Sequence, residues 1–161
     1  GNRMINARAE GVAERPAYRD ALRERRCIVA ADGFYEWAGP RERGARRPHL
    51  FRVRGGQVFG IAGLWERWRD PDGATVLSCT LLTTEANASV RPLHDRMPVL
   101  LEPRDYGLWL DPGVSDPDRV LPLLVPCPPD WLHSTPVGPH VNDARFDDPV
   151  CVEPAPPEAP A

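Results

Sequence analysis

Short apolar runs divided by turn residues make up most of the chain, and few of them are long enough for a helix. A run of about four to eight apolar or alternating residues between turn signals is typical of a β-strand. Asp32-Gly33, Gly55-Gly56 and the Asp-Pro-Asp-Gly of residues 70–73 are such turn signals. Strands are predicted at residues 27–31, 34–37, 49–53, 58–65, 75–83, 97–101 and 132–137.

Helical spacing is confined to a few short segments. Pro16 can open a helix at its first turn, since Tyr18, Ala21 and Leu22 follow at helical spacing. Further helices are predicted from Pro103 and over residues 117–124. Many strands and few helices predict an α+β fold, a single mixed domain around an antiparallel-rich β-sheet or partly closed barrel with a few peripheral helices.

The composition fits one globular domain. The 161 residues are 42% hydrophobic, and 20 prolines favour turns and edge strands over a helical bundle. We expect the domain to cover residues 1–148 and the Pro/Ala-rich residues 149–161 to be disordered. No apolar run approaches the ~18 residues of a membrane span. The chain begins at Gly1 rather than methionine, so we expect that its start has been removed or that it is part of a longer protein.

The net charge of −3 hides an asymmetry between the two parts of the chain. Residues 1–69 contain 15 arginines and 8 acidic residues, whereas residues 70–161 contain 5 arginines and 15 acidic residues. There is no lysine. Arginine suits bidentate phosphate contacts and stacking on bases, so a polyanion-binding face is one interpretation. A base-composition bias of the genome is the other.

The cysteines and histidines do not form a metal-binding pattern. No Cys-x-x-Cys pair is present, and the four histidines lack the spacing of ligands on one helix face. The sequence therefore gives little support for a metal site. Cys27 and Cys79 lie inside apolar runs, which indicates buried thiols in a reducing, cytoplasmic compartment rather than disulfides.

Glu36 is a candidate acid or base. In a strand, Phe34 and Glu36 would share one face, and Tyr35 and Trp37 the other. Enclosure of the first face would desolvate the carboxyl and raise its pKa, as proton transfer near neutral pH requires. An exposed carboxylate on a two-sided strand is the alternative.

Three further groups could perform proton or anion chemistry. His94 precedes a predicted strand, with Asp95 placed to orient its imidazole and Arg96 placed to hold an anion. The alternative is a surface histidine with a surface ion pair. Asn6 is a neutral hydrogen-bond donor close to Arg8, although each could equally be a turn or surface residue. The Trp-Glu-Arg-Trp-Arg of residues 65–69 suits single-stranded nucleic acid or, alternatively, core and hairpin packing.

Five short motifs occur in a fixed order, and together they indicate a protein family more specifically than any one of these residues does. They are Ile-Asn-Ala-Arg-Ala-Glu at 5–10, Ala-Asp-Gly-Phe-Tyr-Glu-Trp at 31–37, Phe-Gly-Ile-Ala-Gly-Leu-Trp-Glu at 59–66, Leu-Thr-Thr-Glu-Ala-Asn at 82–87 and His-Asp-Arg-Met-Pro-Val at 94–99. This series resembles the SOS response-associated peptidase (SRAP) family, the abasic-site processing proteins, over roughly residues 5–149.

The resemblance implies a sensor of abasic sites in single-stranded DNA that has no metal or cofactor and acts as a monomer. In that family an N-terminal cysteine, exposed by autoproteolytic removal of the initiator methionine, captures the lesion aldehyde as a thiazolidine cross-link. By motif, Asn6 would position or polarise the reacting groups, Glu36 would shuttle protons and His94 would act on the ring oxygen of the sugar. The implied DNA-binding residues are Arg8, Arg96, Phe34 and Trp37.

The chain departs from the family at its start. Family members begin Met-Cys-Gly-Arg and carry several dozen residues before the asparagine motif, whereas here Asn6 is the sixth residue. We therefore expect an N-terminally truncated form that does not make the thiazolidine by itself. The alternatives are a non-catalytic remnant that binds single-stranded DNA, and a Glu/His-dependent peptidase or hydrolase.

Overall fold

A computed structural model describes residues 4–39 and 46–156. The contacts within the chain group into two units that alternate along the sequence. Among the described residues, the first unit comprises residues 4–31, 59–85 and 96–127, and the second comprises residues 32–39, 46–58, 86–95 and 128–156. None of the helices in the described part of the chain is long and apolar enough to cross a membrane.

The first unit is built on a six-stranded sheet. Its main path is β1-β6-β5-β2, with β7 paired to β6 and β8 paired to β5. Only β1 pairs in parallel, with β6, and the other pairs are antiparallel. The strands are β1 (Asn6–Arg8), β2 (Arg26–Ala31), β5 (Phe59–Arg69), β6 (Thr75–Glu85), β7 (Arg96–Pro98) and β8 (Leu100–Leu101).

Two short α-helices pack in this unit. The first, α1 (Arg19–Glu24), buries Ala21 and Leu22, as the helical spacing predicts. The second, α2 (Tyr106–Leu110), follows a 3-10 turn that Pro103 opens. Its Trp109 is fully buried and donates Nε1–H to the carbonyl of Cys27 over 2.8 Å, which fixes α2 against β2. Residues 117–124, predicted as one helix, form two 3-10 helices, Pro117–Arg119 and Leu121–Leu123.

Gly60 marks a place where the fold of this unit tolerates no side chain. A Cβ there would lie 2.6 Å from Ile28 Cγ2 and 2.8 Å from the hydroxyl of Tyr106. The same hydroxyl accepts a hydrogen bond from the Gly60 N–H over 2.8 Å. The glycine of the Phe-Gly-Ile-Ala-Gly motif therefore lets β5 approach the tyrosine that follows β8.

The second unit is built on a three-stranded antiparallel sheet in the order β3-β4-β9. The strands are β3 (Phe34–Ala38), β4 (Arg47–Val53) and β9 (Leu132–Pro136). The turn at Gly55-Gly56 is present, with positive φ at both glycines, but β4 and β5, the strands on its two sides, belong to different sheets. The 3-10 helices are Pro129–Trp131, Pro139–Asn142 and Pro149–Val152.

The predicted α+β class, with antiparallel-rich sheets and few helices, is confirmed. Two details differ from the expectations. Cys79 is exposed, because residues 75–79 of β6 pair with the solvent-exposed end of β5. Residues 149–156, expected to be disordered, are structured: Asp148 caps the turn at Val150, and Ala155 N–H donates to the Pro136 carbonyl. Residues 38–48 are glycine-rich and basic, which predicts an exposed hairpin loop. Of these, residues 40–45 lie outside the described residues, as do the last residues, 157–161.

Candidate functional site

Glu36 lies on β3, whose alternation agrees with the prediction. Phe34, two residues before it, stacks on the buried Phe51 of β4 with ring centroids 5.1 Å apart. The rings of Tyr35 and Trp37 form a tilted pair at 6.4 Å. The β3–β4 register thus fixes where the Glu36 side chain leaves the sheet.

Four side chains of the second unit line a cavity of about 320 Å³, here called the Glu36 cavity. They are Glu36, Trp37, Arg46 and His94. Two of them, Glu36 and His94, are the predicted acid and base, and 58 positions separate them in the sequence. The fold of this unit therefore brings a carboxyl, an imidazole, a guanidinium and an indole to one space large enough for a small ligand group.

The environment of the cavity raises the pKa of Glu36. Loss of hydration is the largest cause, and the charge of Asp95 acts in the same direction. Positive charge on His94 and Arg46 opposes them by stabilising the carboxylate. A carboxyl group with a raised pKa can deliver a proton closer to neutral pH than an exposed glutamate can.

A compact polar loop carries His94. Buried Asn87 accepts hydrogen bonds from the N–H groups of Ser89 and Val90 at 3.0 and 3.1 Å. The Val90 carbonyl then accepts from the backbone N–H of His94 at 3.1 Å. Asp95 Oδ1 lies 3.5 Å from His94 Nδ1, so the carboxylate that was predicted to orient the imidazole is next to it. Asn87, the last residue of the Leu-Thr-Thr-Glu-Ala-Asn motif, thus positions the loop from which His94 extends.

A residue 105 positions later in the chain holds the side chain of Trp37. Its Nε1–H donates to Asn142 Oδ1 over 2.7 Å. Asn142 ends the 3-10 helix Pro139–Asn142, which lies within the last part of the resemblance. The bond fixes the orientation of the indole at the wall of the cavity, while Phe34, the other predicted aromatic contact, is committed to its stack on Phe51.

Asn6 and Arg8 lie on β1 in the first unit. Both residues are exposed, whereas Ala7 between them is buried in the core at 2% exposure. The parallel pairing of β1 with β6 sets this alternation. Their side chains therefore face solvent on one side of the strand.

Arg96, in the same unit, is engaged by a carboxylate that the sequence interpretation did not consider. Its Nη1 and Nη2 donate to Oε1 and Oε2 of Glu10 at 2.9 and 2.8 Å, and Nη2 also donates to the carbonyl of Thr83 at 2.6 Å. The hydrogen bond from Arg96 lowers the pKa of Glu10. The pair joins the first and the last of the five motifs. The predicted phosphate contact of Arg96 stays a prediction, and a phosphate would have to compete with Glu10 for the guanidinium.

Metal ligation finds no support among the described residues, where no three His, Cys, Asp or Glu side chains cluster. None of the four cysteines forms a disulfide, and none of them lines the Glu36 cavity. The residues missed by the sequence interpretation are Arg46 and Glu10. Both belong to segments that it singled out, the basic stretch at 38–48 and the asparagine motif, but neither pattern tells which member faces a site.

Comparison with known proteins gives consistent matches. A family model described as SOS response associated peptidase (SRAP) matches residues 1–144. The abasic site processing protein YoqW of Bacillus subtilis (strain 168) is 37% identical over 153 residues, which are 95% of this chain and 68% of that protein. The abasic site processing protein HMCES of Rattus norvegicus is 28% identical over 176 residues, 93% of this chain and 49% of that protein.

Solved structures agree with the sequence matches. A protein from Bacteroides thetaiotaomicron superimposes with a TM-score of 0.86 at 26% identity, over 96% of this chain and 67% of that one. A protein from Bordetella bronchiseptica gives 0.71 at 33% identity, over 83% of this chain and 64% of that one. The chain thus spans about two thirds of its bacterial relatives and about half of the vertebrate one.

Proposed function

Because the chain belongs to the SOS response associated peptidase (SRAP) family, we propose that it processes abasic sites in DNA and that the lesion sugar binds in the Glu36 cavity. Two relatives carry abasic site processing in their names. The observation that supports the location is that Glu36 and His94 line one cavity, together with a cation. The substrate we propose is single-stranded DNA, in which the lesion is not held in a duplex stack.

The proposed chemistry is capture of an aldehyde by an N-terminal cysteine. The ring-opened abasic sugar exposes a C1′ aldehyde, to which the cysteine amine adds. Loss of the C1′ hydroxyl as water gives an imine, and the thiol then adds to the imine carbon and closes a thiazolidine. One water leaves for each cross-link formed. The second addition is intramolecular and therefore strongly favoured.

Glu36 and His94 supply the proton transfers in this proposal. A protonated Glu36 gives its proton to the departing hydroxyl, which is consistent with the raised pKa of its carboxyl. His94 protonates the sugar oxygen as the ring opens, and Asp95 holds its imidazole. For Asn6 and Arg8 of the first unit, the roles that the resemblance implies, a neutral hydrogen-bond donor and a phosphate contact, stay predictions.

The test uses a cysteine-led form of the protein, in which the family's Met-Cys-Gly-Arg start and the residues that follow it in YoqW precede Gly1. This form is incubated with a single-stranded oligonucleotide that carries one abasic site, and the product is separated on a denaturing gel. We expect a covalent band with the abasic oligonucleotide and none with an undamaged one. Equal bands with both, or none with either, would refute the proposed function.

Two further assays address the other two functions that the sequence left open. A salt-sensitive shift on a native gel without a covalent band indicates a non-catalytic DNA-binding protein. Cleavage of a peptide substrate that depends on Glu36, without DNA affinity, indicates a hydrolase. The cysteine-led form is needed because only an N-terminal cysteine offers an amine and a thiol to one carbon.

A further inference from the structure

We propose that Arg46 is the anion-binding residue of the Glu36 cavity and that its ligand is a monoanionic phosphodiester. The identification of that phosphodiester as the one beside an abasic sugar rests on the proposed function. The anion site itself rests on the geometry around Arg46. Arg46 lies outside the five motifs.

The first observation is an unsatisfied donor. Arg46 lines the cavity, and its Nε is buried without a hydrogen-bond partner among the residues that the structure describes. Buried donors in folded proteins are almost always satisfied by protein atoms or by ordered water. A guanidinium donor without a protein acceptor, at the wall of a cavity, can therefore take an acceptor oxygen from a water molecule or from a ligand that displaces it.

The second observation concerns the competing arginine. Arg96, the residue that the sequence interpretation gave to a phosphate, has both terminal nitrogens on Glu10 at 2.9 and 2.8 Å. Arg46 has no comparable carboxylate partner in the described part of the chain, although its charge acts on Glu36. Arg46 is thus the cation at the Glu36 cavity whose planar donor set is available to an oxyanion.

The third observation selects the charge of the ligand. Two carboxyl groups, Glu36 and Asp95, affect the same cavity, and His94 and Arg46 supply the positive charge. A phosphodiester carries one negative charge, whereas inorganic phosphate or a phosphomonoester carries about −1.5 to −2 near pH 7. Because the carboxyl groups repel the second charge, the cavity favours a diester.

The experiment measures binding by fluorescence anisotropy. The probe is a labelled single-stranded oligonucleotide with one tetrahydrofuran abasic analogue, which binds but cannot form the aldehyde. An undamaged oligonucleotide of the same length and inorganic phosphate are the comparison ligands. The variants are Arg46→Gln, Arg46→Lys and the matched control Arg119→Gln, which removes one exposed charge outside the cavity. Thermal unfolding of each variant checks that it remains folded.

We expect Arg46→Gln to weaken binding of the abasic probe by about 10-fold or more, as for loss of a charge-assisted hydrogen bond, and to lower the salt slope by about one. Arg119→Gln should change affinity by less than about 2-fold. Arg46→Lys keeps the charge but not the planar fork, so it should restore the salt slope and only part of the affinity. Inorganic phosphate should compete poorly with the oligonucleotide.

The outcomes separate this inference from the proposed function. If the abasic and undamaged oligonucleotides bind equally and Arg46→Gln weakens both, the anion site stands and lesion recognition fails. If the abasic probe is preferred but Arg46→Gln and Arg119→Gln behave alike, the role of Arg46 is refuted while lesion recognition stands. Absence of binding by any of the three ligands refutes the anion site, and strong competition by inorganic phosphate refutes its preference for a diester.

Discussion

The ion pair between Glu10 and Arg96 should be a measurable part of the stability of the first unit. We predict that Glu10→Gln, which removes the charge and keeps the shape, destabilises the protein. The pair is bidentate, with nitrogen–oxygen distances of 2.9 and 2.8 Å. It connects residue 10, just after β1, to the first residue of β7, so its loss loosens two of the motifs at once.

The burial of the two side chains sets the magnitude. Arg96 is 17% exposed and Glu10 is 52% exposed. Fully exposed pairs contribute about 0–1 kcal/mol, and breaking a fully buried pair costs about 3–5 kcal/mol. With one member mostly buried and the other half-exposed, this pair should contribute about 1–2 kcal/mol to the free energy of unfolding. Salt should reduce that contribution because Glu10 remains accessible to solvent.

The assay is urea unfolding of the wild type, Glu10→Gln, Arg96→Met and the double variant, at low and high salt. The matched control is Glu102→Gln, which breaks the 2.9 Å pair with Arg104, whose side chain is 76% exposed. We expect the control to change the free energy of unfolding by less than about 0.5 kcal/mol. A coupling energy for Glu10 and Arg96 below about 0.5 kcal/mol, the largest change expected for the control, would contradict the predicted contribution of this ion pair.

The pH dependence provides an independent check on the same pair. The pKa of Glu10 is lowered from its ordinary value of 4.5, chiefly by the hydrogen bond from Arg96. A depressed carboxyl pKa contributes stability that is complete above 4.5 and is lost as the pH falls through the folded-state pKa. The difference in stability between wild type and Glu10→Gln should therefore vanish in acid. A difference that persists below the folded-state pKa would contradict the assignment.

Three further predictions concern other positions. Asn87→Ala should lower the free energy of unfolding in urea by about 1 kcal/mol, because it removes the side chain that caps the loop carrying His94. It should also broaden the His94 ring signals in NMR spectra, and sharp, unshifted signals would show that Asn87 does not position that loop. Glu36→Gln should become more stable relative to wild type as the pH rises, because a raised carboxyl pKa contributes stability that is lost as the pH passes through the folded-state value; a constant difference from pH 4 to 8 would refute the raised pKa. Gly60→Ala should cost about 1–3 kcal/mol in thermal or urea unfolding, since its Cβ would meet Ile28 and Tyr106, and an unchanged stability would show that this contact relaxes freely.

Much of the fold follows from local patterns in the sequence. The runs at residues 27–31 and 49–53 became β2 and β4 because a short apolar run between turn signals has few alternatives to a strand. The exposure of Cys79 does not follow from such a run. β5 and β6 are 11 residues each, and their paired ends at 65–69 and 75–79 extend past the buried core, so an apolar strand there faces solvent. A run of apolar residues predicts a strand, but it does not show where the buried core ends.

Some residues of the candidate site could also be predicted from the sequence, and others could not. Glu36 and His94 were predicted from residue chemistry and from the order of the motifs, and they line one cavity. The partner of Arg96 could not be predicted, because Glu10 lies 86 positions away and many acidic residues are equally plausible. Arg46 is one of several arginines in a basic stretch, and only the three-dimensional structure shows which one reaches the cavity.

The proposed function requires Glu36 and His94 to act together on a lesion aldehyde in one cavity. The direct test is the cross-linking rate of the cysteine-led protein with an abasic single-stranded oligonucleotide, measured for Glu36→Gln, His94→Gln and the exposed control His133→Gln. Because general acid–base groups contribute about 100-fold or more, we predict losses of that size for the first two variants and a rate within about 2-fold of wild type for the control. Wild-type rates in both Glu36→Gln and His94→Gln would contradict the proposed roles of these two residues.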